Sequence, residues 1–268
     1  MVNQNRLITD LTQPIAYGRT AEIYAWNEEQ VLKLFYNWFP LENIQYEQRI
    51  AEAVCGTDLP VPSVGEILNI NNRFGLLYGR VDGITMFELI EQKPWNIFRY
   101  AHRMAELHIE MHSDPTNATL PNLKTKLKNK INQAEGLSVK NREKVLTGLA
   151  DLPDGDRLCH GDFHPMNIIM TAHGETIIDW IDSAVGNPLA DLARTTIIAR
   201  GAMASNQIKK AMQKLIVRIF HHAYITYYFS TCPAGKEEYL LWLPIVAAAR
   251  LSENIPELKS WLIKQASY

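Results

Sequence analysis

A strand-like segment at residues 158–179 constrains the fold more than any other part of the chain, because the sequence on both sides of it is helical in character. Residues 95–112 and 122–136 are amphipathic and predict helices. In the segment, the polar stretch HGDFHPMN precedes a predicted β-hairpin, with strands at 167–171 and 175–178 around a glycine-containing turn. Later helices are predicted at 188–201, 205–231, 235–251 and 256–266.

The first third of the chain has short runs of aromatic and branched residues, bounded by turn-forming residues. A helix is predicted there only at 40–54, where apolar residues recur at helical spacing after Pro40. Strands are predicted at 16–26, 29–36, 63–70 and 74–81. The sequence therefore predicts an α+β chain with a small β-rich N-terminal lobe, residues 1–82, and a larger, mostly helical C-terminal lobe, residues 83–268.

Composition and charge exclude several classes of protein. The chain has 268 residues and a net charge of −2, and the Lys-rich segment 122–136 is interpreted as the solvated face of a helix. No apolar run approaches the roughly 18 residues that cross a bilayer, and the start of the chain lacks a signal-peptide core. The three cysteines are far apart, as reduced thiols are. We therefore expect a cytoplasmic protein without nucleic-acid or membrane partners.

The polar stretch allows a metal-site interpretation. His160, Asp162 and His164 alternate, so on a strand their side chains would face one side and bind a metal together with nearby carboxylates. This would be the site of a metal-dependent hydrolase. However, Pro165 disfavours a continuing strand, and Asn167 has no natural role in a zinc site.

A phosphotransfer interpretation accounts for more of the residues. The catalytic loop of kinases has the form H-R-D-x-x-x-x-N, and here Asp162 is followed five residues later by Asn167. A second acidic residue, Asp179, follows the predicted hairpin. Phosphoryl transfer needs Mg²⁺ held by hard oxygen ligands, here Asn167 and Asp179, and an ionised carboxylate, Asp162, to orient the acceptor hydroxyl.

A lysine in the N-terminal third fits the same chemistry. Lys33 lies in the apolar segment VLKLF, where an unpaired charge is costly. Glu47 or Glu52 on the predicted helix 40–54 could pair with it, and Glu47 is favoured. The alternative is an edge-strand lysine that points to solvent.

These residues resemble the aminoglycoside phosphotransferase/choline kinase-like family of small-molecule kinases. The resemblance rests on LCHGDFHPMNIIM and IIDWIDSAVGNPLADLA, and more weakly on VLKLF, YGRVDG and AELHIEMH. It implies a bilobal protein kinase-like fold, ATP or GTP as phosphate donor, Mg²⁺ as cofactor and a small hydroxylated acceptor such as an aminoglycoside, sugar or amino alcohol.

The resemblance also implies a role for each site residue. Asp162 would be the catalytic base, and Asn167 and Asp179 the metal ligands. Lys33, steadied by Glu47, would hold the donor phosphates. The residues whose backbone would contact the purine are Tyr78, Gly79, Arg80 and Val81.

The sequence departs from protein kinases at several positions. Gly161 replaces the arginine of the catalytic loop, and Asp179-Trp180-Ile181 replaces Asp-Phe-Gly, which disfavours a protein substrate. The phosphate-binding loop has only Gly18, so a nucleotide-binding pseudokinase is an alternative. Acidic residues are sparse after residue 192, so an aminoglycoside is not favoured over other hydroxylated acceptors.

The remaining polar residues near these motifs have simpler interpretations. His108 and His112 are expected to brace the fold, as is His160 through hydrogen bonds within the loop. Asp191 is expected to cap a helix and anchor the loop. Arg250 and Glu253 are expected to form a surface pair. Whether Asp182, His164 or Arg250 contacts the acceptor is left open, as are the nucleotide base and the oligomeric state.

Overall fold

A computed structural model describes residues 13–113, 115–116, 118–205 and 211–267. Contacts divide the chain into two units. Among the described residues, the sheet unit contains those up to Ile84 and the segment Ile168–Ile181, and the helical unit contains those of Thr85–Asn167 and those from Asp182 onward. The predicted hairpin therefore clusters with the sheet unit, whereas the sequence-based division at residues 82 and 83 assigns it to the C-terminal lobe.

The sheet unit is built on a sheet of five strands: β1 (Ala16–Tyr17), β2 (Ala21–Ala25), β3 (Gln30–Phe35), β4 (Val64–Ile70) and β5 (Arg73–Gly79). The sheet is antiparallel throughout, with the strand order β1-β2-β3-β5-β4. The single strand predicted at 16–26 is two strands, because a turn closes where Gly18 N–H donates to Ala21 O over 2.8 Å. Asn71 and Asn72 join β4 to β5 with φ angles of 49° and 65°, which asparagine tolerates better than most residues.

One helix, α1 (Leu41–Cys55), packs on this sheet. Pro40 precedes it in the extended conformation that an N-cap residue adopts, as its place in the sequence predicts. The apolar side chains at helical spacing, including Ile44, are buried, and Ile44 packs with Phe35 of β3 and Leu76 of β5. This apolar contact fixes α1 over the strands.

The hairpin of the sheet unit consists of β8 (Ile168–Thr171) and β9 (Gly174–Ile177), one residue from the predicted ends. Ile168 pairs with Ile177, and both are fully buried. Ile177 N–H also donates to Pro60 O over 2.8 Å. The end of the hairpin, where Asp179 follows, is thereby held to the rest of the sheet unit.

The helical unit contains eight helices among the residues described there. They are α2 (Met86–Gln92), α3 (Ile97–Ser113), α4 (Leu123–Gln133), α5 (Val139–Asp151), α6 (Pro188–Ala204), α7 (Ala211–Thr231), α8 (Lys236–Arg250) and α9 (Pro256–Gln265). Short strand β7 (Arg157–Cys159) pairs antiparallel with β10 (Ala184–Gly186), and β6 (Ile84–Thr85) precedes α2. Part of the predicted helix 205–231, residues 206–210, lies outside the described residues.

Helices α2 and α5 were not predicted individually, although the sequence contains a helix-start signal for α2. Thr85 accepts from Glu88 N–H, while the Glu88 side chain accepts from Thr85 N–H, so the sequence T-x-x-E forms a capping box. Within the described residues no helix combines the length and apolar character that crossing a bilayer requires.

Candidate active site

The polar stretch 160–167 is a loop that ends in a 3-10 turn, Pro165–Asn167. Asn167 Nδ2 donates to Asp162 O over 2.9 Å, so the five-residue spacing lets one side chain close the loop on itself. Asn167 Oδ1 accepts no hydrogen bond from the residues that the structure describes. The amide oxygen is thus left for another ligand.

The carboxylate of Asp162 is held in its ionised form. Arg194 Nη2 lies 3.5 Å from Oδ1, and His164 Nε2 lies 3.4 Å from Oδ2. Burial alone would raise the pKa of Asp162, but the hydrogen bond from His164 and the charge of Arg194 outweigh it and hold that pKa well below its usual range. Asp162 is therefore ready to accept a hydrogen bond from a hydroxyl group at neutral pH.

Gly161 is the residue that this loop requires. Its φ is 78°, and a Cβ at this position would lie 2.4 Å from Asp182 O. An arginine at this position would clash with the backbone of Asp182 and would have to adopt a φ angle that residues with a side chain disfavour. A guanidinium reaches the loop from elsewhere, because Arg194 Nε donates to Gly161 O over 2.8 Å.

Helix α6 fixes the loop through one face. Asp191 Oδ2 accepts from His160 N over 2.6 Å, and Oδ1 accepts from Gly161 N over 2.8 Å. The expected anchor role is confirmed, but the expected helix cap is wrong: Asn187 is the N-cap residue of α6. Thr195 Oγ1 donates to Phe163 O over 2.8 Å.

Two buried histidines and two tyrosines complete the support of Asp191. His108 Nε2 and His112 Nε2 lie 3.1 and 3.4 Å from Asp191 Oδ2, and their Nδ1 atoms contact the hydroxyls of Tyr224 and Tyr228. Burial, and then the neighbouring His112, lower the pKa of His108 to about 4, so this ring is neutral at pH 7. We call these five residues the anchor cluster. They brace the loop, as expected for the histidines.

The metal-hydrolase interpretation has no support here. Residues 160–164 do not form a strand, so the side chains do not alternate about a β-sheet. His160 is buried, and its Nδ1 accepts from Asp162 N over 3.2 Å, which makes it a brace of the loop. Cys159 is buried on β7, and burial raises its thiol pKa, so it is not a nucleophile.

In the sheet unit, the structure brings Lys33 and Glu47 together. Lys33 Nζ lies 2.7 Å from Glu47 Oε1 and 3.5 Å from Asp179 Oδ1. The favoured partner is therefore the observed one, rather than Glu52. Burial would lower the pKa of Lys33, but the carboxylates of Asp179 and Glu47 outweigh burial and raise it. The ammonium stays charged.

Asp179 has a backbone conformation that few residues adopt. Its φ is 64°, in the left-handed region, and its side chain is 42% exposed. Such a conformation costs of order 1–3 kcal/mol and persists where surrounding structure enforces it, often at functional sites. The partly exposed carboxylate remains available to a ligand.

The four residues predicted to contact the purine differ in which of their hydrogen-bonding groups are already used within the protein. The Tyr78 hydroxyl donates to Glu47 Oε1 over 2.8 Å, so this side chain supports the ion pair. Gly79 N–H donates to Ser63 O and Arg80 N–H donates to Glu29 O, each over 2.8 Å. Val81 N–H has no acceptor in the part of the chain that the structure describes. Among the N–H groups of the last three residues, that of Val81 is the open one.

Several charged residues near the loop were not assigned to the site from sequence. Lys130 Nζ and Lys126 Nζ lie 2.8 and 3.2 Å from Asp182 Oδ1, so α4 does not present all its lysines to solvent as expected. The i, i+4 spacing of Lys126 and Lys130 places them on one face of α4, and it was the sequence signal that could have identified the pair. The expected surface pair Arg250–Glu253 forms, with 3.4 Å from Nε to Oε2, but it is largely buried. Arg194 was also missed, although it follows Asp191 by three residues.

The fold and this site define a small-molecule kinase of the protein kinase-like class. The sequence matches the phosphotransferase enzyme family over residues 13–211, a range that contains every predicted site residue. The chain belongs to this family, as the motifs predicted. No curated protein matches the sequence significantly.

Solved structures confirm the predicted fold. A thermostable mutant of aminoglycoside phosphotransferase APH(4)-Ia, in ternary complex with ADP and hygromycin B, is 14% identical with a TM-score of 0.63, over 96% of this chain and 92% of that one. The streptomycin-ATP-APH(2")-IIa ternary complex is 17% identical with a TM-score of 0.56, over 95% and 90%. Amicoumacin kinase hAmiN, with AMP-PNP and Ca²⁺, is 11% identical with a TM-score of 0.59, over 97% and 90%.

Proposed function

We propose that this chain is an ATP- or GTP-dependent O-phosphotransferase that moves the γ-phosphate to a hydroxyl of a small molecule: an aminoglycoside, a sugar, an amino alcohol or a similar metabolite. The observation that carries the proposal is the catalytic loop. Asp162 is kept ionised by His164 and Arg194, and Asn167 ties the loop while its Oδ1 stays open. A loop of this kind suits in-line transfer to a hydroxyl group.

In the proposed reaction, Asp162 orients the acceptor hydroxyl and takes its proton. The hydroxyl oxygen forms a bond to the γ-phosphorus while the bond from that phosphorus to the β,γ-bridging oxygen breaks, and the nucleoside diphosphate leaves. No covalent intermediate with the protein is involved. Because the Asp162 pKa lies well below its usual range, the proton is held only briefly and passes on to solvent or product.

Two residues fit a divalent cation of the Mg²⁺ type. Asn167 Oδ1 is free of hydrogen bonds among the described residues, and the Asp179 carboxylate is partly exposed. Both are the hard oxygen ligands that Mg²⁺ prefers. Bound there, the ion would neutralise charge that develops on the phosphoryl oxygens. Asn167 and Asp179 are accordingly proposed as its ligands.

The nucleotide is proposed to bind through the sheet unit. Lys33, held by Glu47 at 2.7 Å, would contact the donor phosphates as a fixed positive charge. The Tyr78 hydroxyl donates to the same Glu47 oxygen and helps to hold it. The proposed purine contacts are backbone groups of Tyr78, Gly79, Arg80 and Val81, with the open N–H of Val81 as the donor.

The acceptor is open within the class of hydroxylated small molecules. Two of the similar structures are complexes with hygromycin B and with streptomycin, which is a property of those proteins. In this chain, acidic residues after position 192 are few: Glu237, Glu238, Glu253 and Glu257. Such a C-terminal region does not favour a polycation over other acceptors.

The test is a panel of hydroxylated acceptors, including several aminoglycosides, with ATP and GTP labelled at the γ-phosphate. Transfer of label is expected with wild type, and Asp162→Asn is expected to lower kcat about 10²- to 10⁴-fold with unchanged ADP affinity. Asp151→Asn, on an exposed position of α5, is the matched control. Near wild-type turnover in Asp162→Asn would remove Asp162 from the mechanism. Nucleotide binding without transfer to any acceptor would favour a pseudokinase.

A further inference from the structure

A small cavity lies in the helical unit beside Gly161, between α4, α6 and α8. It has a volume of about 40 Å³. Its lining combines apolar residues with seven charged ones: the cations Lys126, Lys130, Arg194 and Arg250, and the carboxylates Asp182, Asp191 and Glu253. The cations exceed the carboxylates by one. Because Arg194 also contacts Gly161 O and approaches Asp162, the cavity adjoins the catalytic carboxylate.

Within the described residues, the buried side-chain atoms that lack a hydrogen bond all lie around this cavity. Over the described ranges, four buried side-chain nitrogen or oxygen atoms lack a hydrogen-bond partner, and all of them belong to its lining. They are Lys126 Nζ, Arg250 Nε, Arg250 Nη1 and Glu253 Oε1, although Glu253 Oε1 lies within ion-pair distance of Arg194 Nη1, at 2.7 Å. Buried polar atoms in folded proteins are nearly always paired, and an exception points to a water or ligand. Three of the four atoms are cationic donors.

The carboxylates of the lining cannot satisfy these donors. Asp182 Oδ1 is shared by Lys130 and Lys126, at 2.8 and 3.2 Å. Glu253 is shared by Arg194 and Arg250, at 2.7 and 3.4 Å, and neither Lys126 Nζ nor Arg250 Nε reaches good hydrogen-bond geometry. Each carboxylate thus serves two cations.

The third carboxylate, Asp191, is already used. Its oxygens accept the backbone N–H groups of His160 and Gly161 and contact the two histidines of the anchor cluster. The lining therefore has one cation more than it has carboxylates, and Lys126 and Arg250 carry the donor atoms that are left without a hydrogen bond. Burial lowers the pKa of Lys126, and burial followed by the charge of Arg194 lowers the pKa of Arg250 to about 10. Both groups are cations that a bound anion would stabilise.

We propose that the acceptor carries an acidic group, a carboxylate or a phosphate ester, which binds Lys126 and Arg250 in this cavity while a hydroxyl of the same molecule reaches Asp162. The inference rests on the proposed function and narrows its substrate class. A volume of 40 Å³ holds roughly three water-sized groups, which suits the oxygens of one acidic group rather than a whole sugar ring. A polycationic acceptor would meet like charge here.

Binding tests the inference separately from catalysis. The probes are glucose, glucuronate, glucose 6-phosphate and glucosamine, which differ in one substituent and its charge. Each is titrated by calorimetry into the full chain saturated with ADP and Mg²⁺, so that the nucleotide site is filled. At least one acid is expected to bind about 10- to 100-fold more tightly than glucose, and glucosamine more weakly.

Matched variants locate the binding. Lys126→Met is expected to remove most of the preference for the acid, whereas Lys128→Met, on an exposed position of the same helix, keeps it. Arg250→Lys keeps the charge but loses the planar pair of donors, and a weaker preference is expected. It provides an independent variant should Lys126→Met fold poorly. Equal affinity for all four probes, or a preference that survives both cavity variants, would overturn the inference.

Turnover with the same probes separates the two proposals. Label transfer to an acid, with a KM that rises in Lys126→Met while kcat is retained, would support both. Transfer to glucose or glucosamine in preference to the acids would overturn the inference and leave the proposed function intact. If glucuronate or glucose 6-phosphate binds in a way that depends on Lys126, but no acceptor of this or the wider panel is phosphorylated, the proposed function is overturned. The cavity would then be an anion-binding site without a role in phosphate transfer.

Discussion

Two buried charged clusters contact the loop 160–167, each through a residue of α6, and they differ in how many of their polar atoms form hydrogen bonds. Asp191 of α6 belongs to the anchor cluster, where each of its oxygens accepts at least one hydrogen bond. Arg194, one turn later, belongs to the cavity, where four buried side-chain atoms within the described chain lack a hydrogen bond. A fully paired network stabilises a loop, whereas an incompletely paired one is poised for a ligand. The anchor cluster is thus expected to stabilise the loop, and the cavity to bind a ligand.

Removal of the central carboxylate should have the largest effect. Asp191→Ala leaves two backbone N–H groups and two histidines without their acceptor, so we expect a loss of about 3–5 kcal/mol in the free energy of unfolding. Urea denaturation measures it, with Asp151→Ala at an exposed position as the control, expected within about 0.5 kcal/mol of wild type. A loss of less than about 1 kcal/mol in Asp191→Ala would show that the anchor cluster is not structural.

The second-largest effect on stability is expected from low pH, which should weaken the anchor cluster. The pKa of His108 is about 4 when folded, against an ordinary 6.5, so the unfolded chain binds a proton between these values that the folded chain does not. Stability therefore falls as pH falls through this window, by roughly 2 kcal/mol between pH 7 and pH 5. Urea denaturation at both pH values should show a shallower pH dependence in His108→Gln than in wild type. An unchanged slope, or a change shared by the exposed control His102→Gln, would contradict the assignment.

A single hydroxyl of the anchor cluster should have a smaller effect. Tyr224→Phe removes the donor to His108 Nδ1 without opening a cavity, and we expect a loss of about 1–2 kcal/mol. Tyr227→Phe on the same helix breaks a hydrogen bond to Glu106 near solvent and should cost less. If the two variants are equally stable in urea, the buried hydroxyl does not contribute as inferred.

The smallest effect is expected in the cavity. Lys126→Met removes a buried ammonium that lacks a hydrogen bond, while Asp182 keeps Lys130 as a partner at 2.8 Å. We expect stability unchanged or raised by up to about 1 kcal/mol in the absence of ligand. Lys128→Met is again the control. A loss above about 1 kcal/mol would show that Lys126 is structurally paired, and would erase the contrast with the anchor cluster.

Local patterns were enough to predict much of the sheet unit and the loop. Lys33 could be placed because a lysine in an apolar strand needs a carboxylate, and Glu47 is one of two on the next helix. Asp162 and Asn167 could be placed by their spacing, which the structure explains through the hydrogen bond from Asn167 to Asp162 O. In these cases the chemical constraint acts over a few residues or between neighbouring elements.

The cavity could not be predicted because its cations come from three helices far apart in sequence. Lys126, Arg194 and Arg250 each have an ordinary local interpretation as a surface charge, and burial arises only when α4, α6 and α8 pack. The open N–H of Val81 was equally hidden, because the strand register decides which neighbouring N–H groups are used. Tertiary packing, rather than local pattern, determines both.

Gly161 has a consequence for how this enzyme can be controlled. Its positive φ and the nearby Asp182 O exclude a side chain, so the guanidinium beside Asp162 comes from within a helix rather than from the loop. Because Arg194 is part of α6, its position beside Asp162 does not depend on a phosphorylated segment. If Asp162 is the catalytic residue, as proposed, its contact with Arg194 is expected to be in place without covalent modification of the loop.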